Sequence, residues 1–203
     1  CAMAARAGKH LLIEKPVALT AMEAWRMDEV VQQNGIKAMV GMKFRFYTMA
    51  QKIRRMIPSP YTISVQVTDD PWPADFWAND PLLGGGHVIS KGVHGTDLLH
   101  FLAGSEPQSV FAAGANYHQP TRVMDHLSAV FRFANNTAGA FLATDSGRPP
   151  GIGKFLVQVF GKEGSAVLAD RLTRLSFRDP QTGRQIEYNG DEDGFMEENR
   201  AFV

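Results

Sequence analysis

The chain has 203 residues, 44% of them hydrophobic, and its 21 basic and 21 acidic side chains give a formal net charge of zero. This length and composition allow a sizeable core, while the balanced charge lacks the electrostatic signature of a protein that binds nucleic acid or an anionic membrane. A single cysteine, Cys1, and the lack of any apolar run of roughly 18 residues predict a globular, cytoplasmic protein without an internal disulfide or a membrane-spanning helix.

The first predicted elements are a helical stretch that Gly8 ends and an apolar strand, Leu11 to Ile13. Glu14, Lys15 and Pro16 follow at the carboxyl end of that strand, which is where ligands bind in open α/β sheets. Because proline restricts the residue before it to extended conformations, the Lys15 ammonium group has a restricted direction. The alternative for Lys15 is a solvated surface lysine before an ordinary turn.

The next unit is a helix followed by a strand. Thr20 and Glu23 have the spacing of a capping box, which predicts a helix that runs to about Asn34. An apolar strand over residues 36–42 follows, and this strand–helix–strand order is typical of the last third of a dinucleotide-binding fold. Four apolar residues of the helix are candidates for burial: Met22, Trp25, Val30 and Val31.

A second helix, a strand and a loop come next. Apolar residues at helical spacing predict the helix near residues 49–57, and alternation with period two predicts the strand over residues 63–68. Trp72, Phe76 and Trp77 then lie in a long loop. Aromatic rings in such a loop can stack on a sugar, but they more often pack beneath the loop, and packing is what we expect.

Three glycines, residues 84–86, lead into a helix predicted to begin near His94 and to end at Gly104. His94 and Asp97 are three residues apart, so both side chains should project from one face while leucines anchor another. The alternative is an ordinary solvated face. Zinc requires three or four converging ligands, so we predict no metal site, although four side chains here could contribute to one: His87, His94, Asp97 and His100.

Alternating patterns dominate the remainder and predict seven strands, near residues 110–115, 127–133, 138–144, 155–160, 166–169, 175–177 and 185–188. Turn residues such as Asn135 and Asn136 separate them. An acidic run over residues 191–193 precedes a final helix. These patterns predict a mixed α/β (α+β) fold dominated by a large, mostly antiparallel open sheet that helices cover on one face.

Two motifs give the chain a family resemblance: Gly-Lys-His-x-x-x-Glu-Lys-Pro at residues 8–16, and a triple glycine followed by His-x-x-Asp at residues 84–97. Together they resemble the Gfo/Idh/MocA family of NAD(P)-dependent oxidoreductases, over nearly the whole chain. The resemblance implies that residues 1–43 are the C-terminal part of a Rossmann domain and that residues 44–203 form a substrate-binding and oligomerisation domain. The Gly-rich phosphate-binding turn is not found, so we expect a fragment that is inactive on its own.

The resemblance also implies an activity, the transfer of a hydride between NAD or NADP and a secondary alcohol or carbonyl of a sugar, cyclitol or related polyol. His94 would take the hydroxyl proton and Lys15 would hold the oxygen, so these are the predicted catalytic residues. The predicted substrate contacts are Ser90, Lys91 and Asp97. The predicted cofactor contacts are Glu14, Lys15, Pro16 and Arg45. For Arg45, a structural salt bridge is an equally weighted alternative.

Ser90 departs from the family pattern, because many active members carry an aspartate four residues before the histidine. A serine cannot stabilise an imidazolium as a carboxylate does. Either His94 works with a lower pKa, or Lys91 takes part, or proton transfer is not the function. A non-catalytic sensor or dimerisation module that binds a dinucleotide or sugar is therefore the alternative to an enzyme. In both cases the resemblance implies a homodimer or homotetramer formed through the open face of the sheet.

Overall fold

The computed structural model describes residues 1–191 and 194–203, so Glu192 and Asp193 of the predicted acidic run lie outside the described residues. It contains a two-stranded parallel sheet and an eight-stranded sheet, which confirms the predicted mixed α/β (α+β) class. Within these ranges, no helix is long and apolar enough to cross a membrane.

The smaller unit consists of α1 (Ala2–Arg6), β1 (Leu11–Ile13), α2 (Ala21–Gln33) and β2 (Ala38–Val40). Strands β1 and β2 pair in parallel, so their carboxyl ends lie at the same edge. The predicted capping box is confirmed, because Thr20 accepts a hydrogen bond from the Glu23 backbone and the Glu23 carboxylate accepts one from the Thr20 backbone.

The burial predicted for two residues of α2 is wrong. Met22 and Trp25 are 54% and 65% exposed. The side of α2 that faces the strands instead carries Ala24, Met27 and Val31, which recur at three- and four-residue spacing and line a cleft beside β1 and β2.

The large sheet confirms the predicted strands and their mostly antiparallel arrangement. Its members are β3 (Pro60–Thr68), β4 (Pro107–Ala115), β5 (His126–Phe133), β6 (Ala138–Thr144), β7 (Phe155–Gly161), β8 (Gly164–Ala169), β9 (Arg174–Arg178) and β10 (Gln185–Asn189). The spatial order is β10-β9-β8-β7-β3-β6-β5-β4, and every neighbouring pair is antiparallel except β3 and β6, which are parallel. Strand β3 therefore lies at the centre, between partners that come much later in the sequence.

Helices α3 (Thr48–Met56) and α4 (Val93–Ala103) pack on one face of this sheet, and α5 (Phe195–Phe202) lies near the 3₁₀ turn Lys43–Phe46. Ile53 of α3 and Leu98 of α4 are fully buried with Ile63 and Val65 of β3 in one apolar cluster. Burying a side chain of this size contributes about 1.5–3 kcal/mol, so the cluster fixes both helices on the sheet.

The α-helix that carries His94 begins at Val93, close to the predicted start, and a helical segment precedes it. The chain is already helical at His87 and continues through a π-helical turn, Val88–Gly92, into α4, which ends at the predicted Gly104 in the left-handed conformation with φ of 60°. The helical segment before α4 was not predicted, because β-branched residues such as Ile89 disfavour helix locally, whereas packing against the sheet overrides that preference.

The opposite face of the large sheet is exposed and carries few charges. Phe111 of β4 pairs in register with Val130 of β5, and the two side chains are 77% and 57% exposed. Along strands β3 to β8, Arg132 is the sole Lys, Arg, Asp or Glu on this face. This face is thus less polar than a solvated surface normally is.

The closest approach of α4 to the sheet occurs at Gly95, and we expect a larger residue there to destabilise the fold. A Cβ at Gly95 would lie 2.6 Å from carbons of both Phe141 and Val67, whereas a Cβ at Gly92 would lie 3.4 Å from Phe141. Gly95→Ala should lower the free energy of unfolding by about 1–3 kcal/mol in urea titrations. The matched control Gly92→Ala should be neutral or stabilising, by up to about 1 kcal/mol. Equal effects of the two substitutions would contradict this packing.

Candidate active site

A cavity of about 820 Å³ lies where the two sheets meet. Glu14 and Lys15 follow β1, Gly41 and Lys43 follow β2, and all four line this cavity at the carboxyl ends of the parallel strands. His94 and Lys91 enter it from the helical segment that covers the large sheet. The structure therefore brings together residues of both sequence motifs at the place where ligands bind in open α/β sheets.

Lys15 connects the smaller unit to the helical segment. Its Nζ donates a hydrogen bond of 3.0 Å to the backbone carbonyl of Ser90 in the π-helical turn. Burial lowers the pKa of Lys15; the neighbouring Glu14 carboxylate opposes this shift and the Lys43 ammonium adds to it. The Lys15–Pro16 peptide bond is cis, and Pro16 is not among the residues that line the cavity.

His94 is 5% exposed, and its ring lies 4.6 Å from the Phe44 ring, centroid to centroid. Its Nδ1 is buried and has no hydrogen-bond partner in the described part of the chain. Burial, followed by the positive charges of Lys15, Lys91 and Lys43, lowers the pKa of His94 to about 3. The imidazole is therefore neutral at physiological pH, with a nitrogen available to accept a proton.

Ser90 and Lys91 both lie beside Lys15. The Ser90 side chain is buried and makes no hydrogen bond to His94. Because position 90 is a serine and not an aspartate, it gives the histidine no carboxylate support. Burial lowers the pKa of Lys91, and the charges of Lys154 and Lys15 lower it further.

Asp97 and Arg45 do not reach this cavity. Arg45 donates hydrogen bonds of 2.6–2.9 Å from Nε and Nη2 to the Asp97 carboxylate, which raises the pKa of Arg45. Asp97 lines a separate cleft on the side of α4 that carries Thr96 and His100. The prediction that His94 and Asp97 face one opening is wrong, because the bidentate ion pair holds Asp97 on the other side. The geometry supports the salt-bridge alternative for Arg45.

Several residues that line the cavity belong to neither of the two sequence motifs. Lys154 and Arg148 come from the connection between β6 and β7, where they form ion pairs with Asp69 and Asp70. No local pattern identifies them. Lys43 could have been found, since it follows β2 as Lys15 follows β1.

The aromatic loop lines a second cavity, of about 390 Å³, on the other side of the lysines. Phe76 and Trp77 are 39% and 57% exposed, so the expectation that they pack beneath the loop is wrong for both. The loop is held instead by Asn79, whose buried side chain donates hydrogen bonds to the backbone carbonyls of Trp72 and Pro73. The rings of Phe76 and Trp77 line the cavity, whereas the Trp72 ring packs against His87 and donates a hydrogen bond to Asp69, as expected of a ring beneath the loop.

The four side chains considered as metal ligands do not converge. Asp97 forms an ion pair with Arg45, and Nε2 of His100 lies 3.3 Å from Oε1 of Glu106. His87 is fully buried against Trp72, its two ring nitrogens have no hydrogen-bond partner in the described ranges, and burial lowers its pKa to about 4.

Among the described residues, a different group has ligand atoms close enough to hold a metal ion, all within 4.8 Å of one another: His118, Asp125, His126 and Asp145. Asp125 already accepts hydrogen bonds from the backbone N–H groups of Tyr117, His118 and Gln119. Burial opposes its ionisation, but these bonds together hold the pKa of Asp125 well below its usual range. Asp125 therefore organises the connection between β4 and β5.

Two family models match the chain. The GFO/IDH/MocA C-terminal domain matches residues 57–167, and an oxidoreductase family with an NAD-binding Rossmann fold matches residues 1–42. The first match alone covers more than half of the chain.

Individual proteins named as oxidoreductases or dehydrogenases are also similar to the chain. The uncharacterized oxidoreductase YrbE of Bacillus subtilis is 28% identical over 80% of this chain and 49% of its own length. The myo-inositol 2-dehydrogenase of Thermotoga maritima is 25% identical over 98% of this chain and 63% of its own length. The crystal structure of an oxidoreductase domain protein from Kribbella flavida has a TM-score of 0.81 at 25% identity, covering 93% of this chain and 57% of that one. The chain thus spans about half the length of the relatives it matches, 49% to 63% in these three.

We expect the His94 titration to depend on the residue at position 90. In the wild type, the His94 Cε1–H signal should titrate well below pH 6.5, because burial and three lysines disfavour the imidazolium. In Ser90→Asp the added carboxylate should favour the imidazolium and raise this pKa by one unit or more, as an NMR pH titration would measure. Ser59→Asp, in the exposed turn between α3 and β3, is the matched control and should leave the titration unchanged. A wild-type pKa near the ordinary value would contradict the burial argument.

Proposed function

We propose that this chain, which belongs to the Gfo/Idh/MocA family of oxidoreductases, supplies the catalytic residues of an NAD(P)-dependent dehydrogenase. The reaction is hydride transfer between the nicotinamide and a secondary alcohol or carbonyl of a sugar, cyclitol or related polyol. One observation carries the proposal: Lys15 and His94, which are far apart in sequence, line a single cavity at the carboxyl ends of β1 and β2.

The comparisons support this proposal for the protein as a whole. The model that matches residues 1–42 describes an NAD-binding Rossmann fold, and one relative is named a myo-inositol dehydrogenase. Because the chain spans about half the length of its relatives, the activity belongs to the whole encoded protein. The domain division after residue 43 and the cytoplasmic location stay predictions.

The residues present fit a nicotinamide. Two parallel strands end at the cavity, and the side chains that follow them, Glu14, Lys15 and Lys43, are polar and converge there. When bound, the nicotinamide accepts or returns the hydride with its two electrons. Glu14 and Lys15 would hold the nicotinamide end of the cofactor. The phosphate-binding turn is not among these 203 residues, so the choice between NAD and NADP stays open.

In the oxidation direction, the substrate hydroxyl lies between Lys15 and His94. The Lys15 ammonium group donates a hydrogen bond to the oxygen, which favours the carbonyl as the C–H bond breaks. The hydroxyl proton passes to Nε2 of His94, which is neutral because the ring is buried. In the reverse direction, His94 returns that proton to the oxygen.

The open face of the large sheet supports self-association. Phe111 and Val130 are exposed neighbours on it, and strands β3 to β8 place one charged side chain there. Burying such a face against a second copy would remove apolar area from water. We therefore propose that the homodimer or homotetramer forms through this face.

Ser90 favours the second candidate function, a non-catalytic sensor that binds a dinucleotide or sugar. In the position where many active relatives have a carboxylate, the serine makes no hydrogen bond to His94. Such a sensor would bind NADH but oxidise no polyol. The mutational test below separates the two functions.

Turnover should require both predicted catalytic residues. In the whole encoded protein, Lys15→Met and His94→Asn should each lower kcat/KM for polyol oxidation by at least about 100-fold, because each removes a group that contacts the reacting oxygen. NADH binding, followed by nicotinamide fluorescence, should persist in His94→Asn. Lys162→Met is the control and should retain wild-type turnover, because Lys162 is exposed in the turn between β7 and β8 and does not line the cavity. Unchanged turnover in either test variant would overturn these roles, and NADH binding without turnover across a polyol panel would favour the sensor.

Self-association should depend on one face of β4 and β5. Phe111→Glu or Val130→Glu should shift sedimentation equilibrium towards the monomer, because a carboxylate would be buried unpaired in the interface. The neighbouring Val110→Glu places the same charge on the other face of the same strand, where Val110 is 59% exposed, and should leave the assembly intact. Dissociation by Val110→Glu alone would place the interface elsewhere.

A further inference from the structure

The large cavity is strongly cationic although the chain as a whole is neutral. In the described part of the chain, six Lys or Arg side chains and two carboxylates, Glu14 and Asp170, line it. The whole chain has 21 of each charge, so this imbalance is local. The six cationic residues are Lys15, Lys43, Lys91, Arg148, Lys154 and Arg171.

Three of these cations form no ion pair with a described carboxylate, although Glu14 lies near Lys15 and Asp69 near Lys91. Lys15 donates to a backbone carbonyl, and the Lys43 Nζ lies 4.2 Å from the centroid of the Phe195 ring. The Lys91 ammonium group makes no hydrogen bond or ion pair with any described residue. By contrast, Lys154 and Arg148 are ion-paired with Asp69 and Asp70.

These three ammonium groups line the same cavity as the proton acceptor, His94, and act on its charge. Each of Lys15, Lys91 and Lys43 disfavours the charged form of His94, and Lys15 and Lys43 both act on Lys91. Lys15 and Lys91 are also half-buried, so water compensates their charge incompletely. A group of like charges that outnumbers its counter-charges is unfavourable unless a ligand supplies further negative charge.

We propose that the substrate of this site is an anionic polyhydroxylated molecule, whose carboxylate or phosphate binds Lys91 and Lys43 while the oxidised hydroxyl lies between Lys15 and His94. This inference rests on the proposed dehydrogenase function and narrows its substrate class. Sugar acids and sugar phosphates share the required chemistry, an anion attached to a polyol.

The second cavity fits the uncharged part of such a molecule. Lys15, Lys91 and Lys154 line both cavities, so the aromatic loop faces the same lysines from the other side. The exposed rings of Phe76 and Trp77 offer flat apolar surfaces to the C–H groups of a sugar. The tryptophans of this loop also report occupancy through their fluorescence.

A bound anion would alter the chemistry of His94. Its negative charge would offset the lysines that disfavour the imidazolium, so the anion would raise the pKa of His94 in the complex. Proton acceptance would then be linked to the substrate charge. The charge that an aspartate at position 90 supplies in other family members would come here from the substrate.

The test uses the whole encoded protein and compares substrates that differ only at C6. The first series is D-glucose, D-glucuronate and D-glucose 6-phosphate. The second series is D-galactose, D-galacturonate and D-galactose 6-phosphate. We expect kcat/KM for a uronate or a phosphate to exceed that of its neutral hexose by at least about tenfold, the scale of one hydrogen bond to a charged group. Lys91→Met should reduce this preference at least about tenfold, whereas Lys162→Met should retain it. The carboxylate and phosphate arms identify which anion is bound.

A binding measurement separates this inference from the proposed function. Quenching of tryptophan fluorescence by the uronate or the phosphate should be saturable, weaken with added salt, and be reduced in Lys91→Met. Such binding without turnover would support the anion site while overturning the dehydrogenase. Turnover of neutral hexoses without any preference for anions would overturn the anion site and leave the dehydrogenase intact. Absence of anion binding, or a Lys91→Met defect that appears equally in NADH binding, would also overturn it.

Discussion

The hydrogen bond from Lys15 Nζ to the Ser90 carbonyl links the two sheets, and the site depends on this link. Lys15 follows a strand of the small sheet, whereas Ser90 belongs to the π-helical turn that precedes α4 on the large one. The bond therefore sets how far the ammonium group lies from the histidine on the next helical turn. π-Helical turns are rare and often occur at functional sites, because the extra residue redirects the side chains that follow. Here that turn directs Ser90 and Lys91 towards Lys15.

Electrostatically, the site combines a buried neutral histidine with three lysines, Lys15, Lys43 and Lys91, that form no ion pair with a described carboxylate. In most proteins, partly buried ammonium groups are neutralised by nearby acidic residues. The chain does this for Lys154, which pairs with Asp69, but not for Lys91. Acidic residues are abundant elsewhere, so their scarcity in this cavity is a property of the site and not of the composition. A cavity built in this way attracts anions and repels cations before any specific contact forms.

Local sequence patterns predicted the elements that local interactions determine. The capping box at Thr20, the end of α4 at Gly104 and the alternating strands were confirmed, since each rests on residues close together in the chain. The failures came from tertiary contacts. Asp97 forms an ion pair with Arg45, 52 residues away, and does not line the large cavity. Packing on the sheet adds a π-helical turn before α4, which the propensities of Val88 and Ile89 do not predict. Lys154 reaches the cavity through the sheet topology, which no local pattern encodes.

The central position of β3 also bears on how the site forms. Thr62 of β3 pairs with Ala138 of β6 on one side and with Phe160 of β7 on the other, and α4 lies in the crossover between β3 and β6. These pairings have high contact order, so the entropic cost of closing long loops must be met before they contribute stability. During synthesis, β3 leaves the ribosome long before either partner strand. His94 therefore reaches its final environment only after most of the chain has been made, which makes the cavity around it one of the last parts of the fold to be completed.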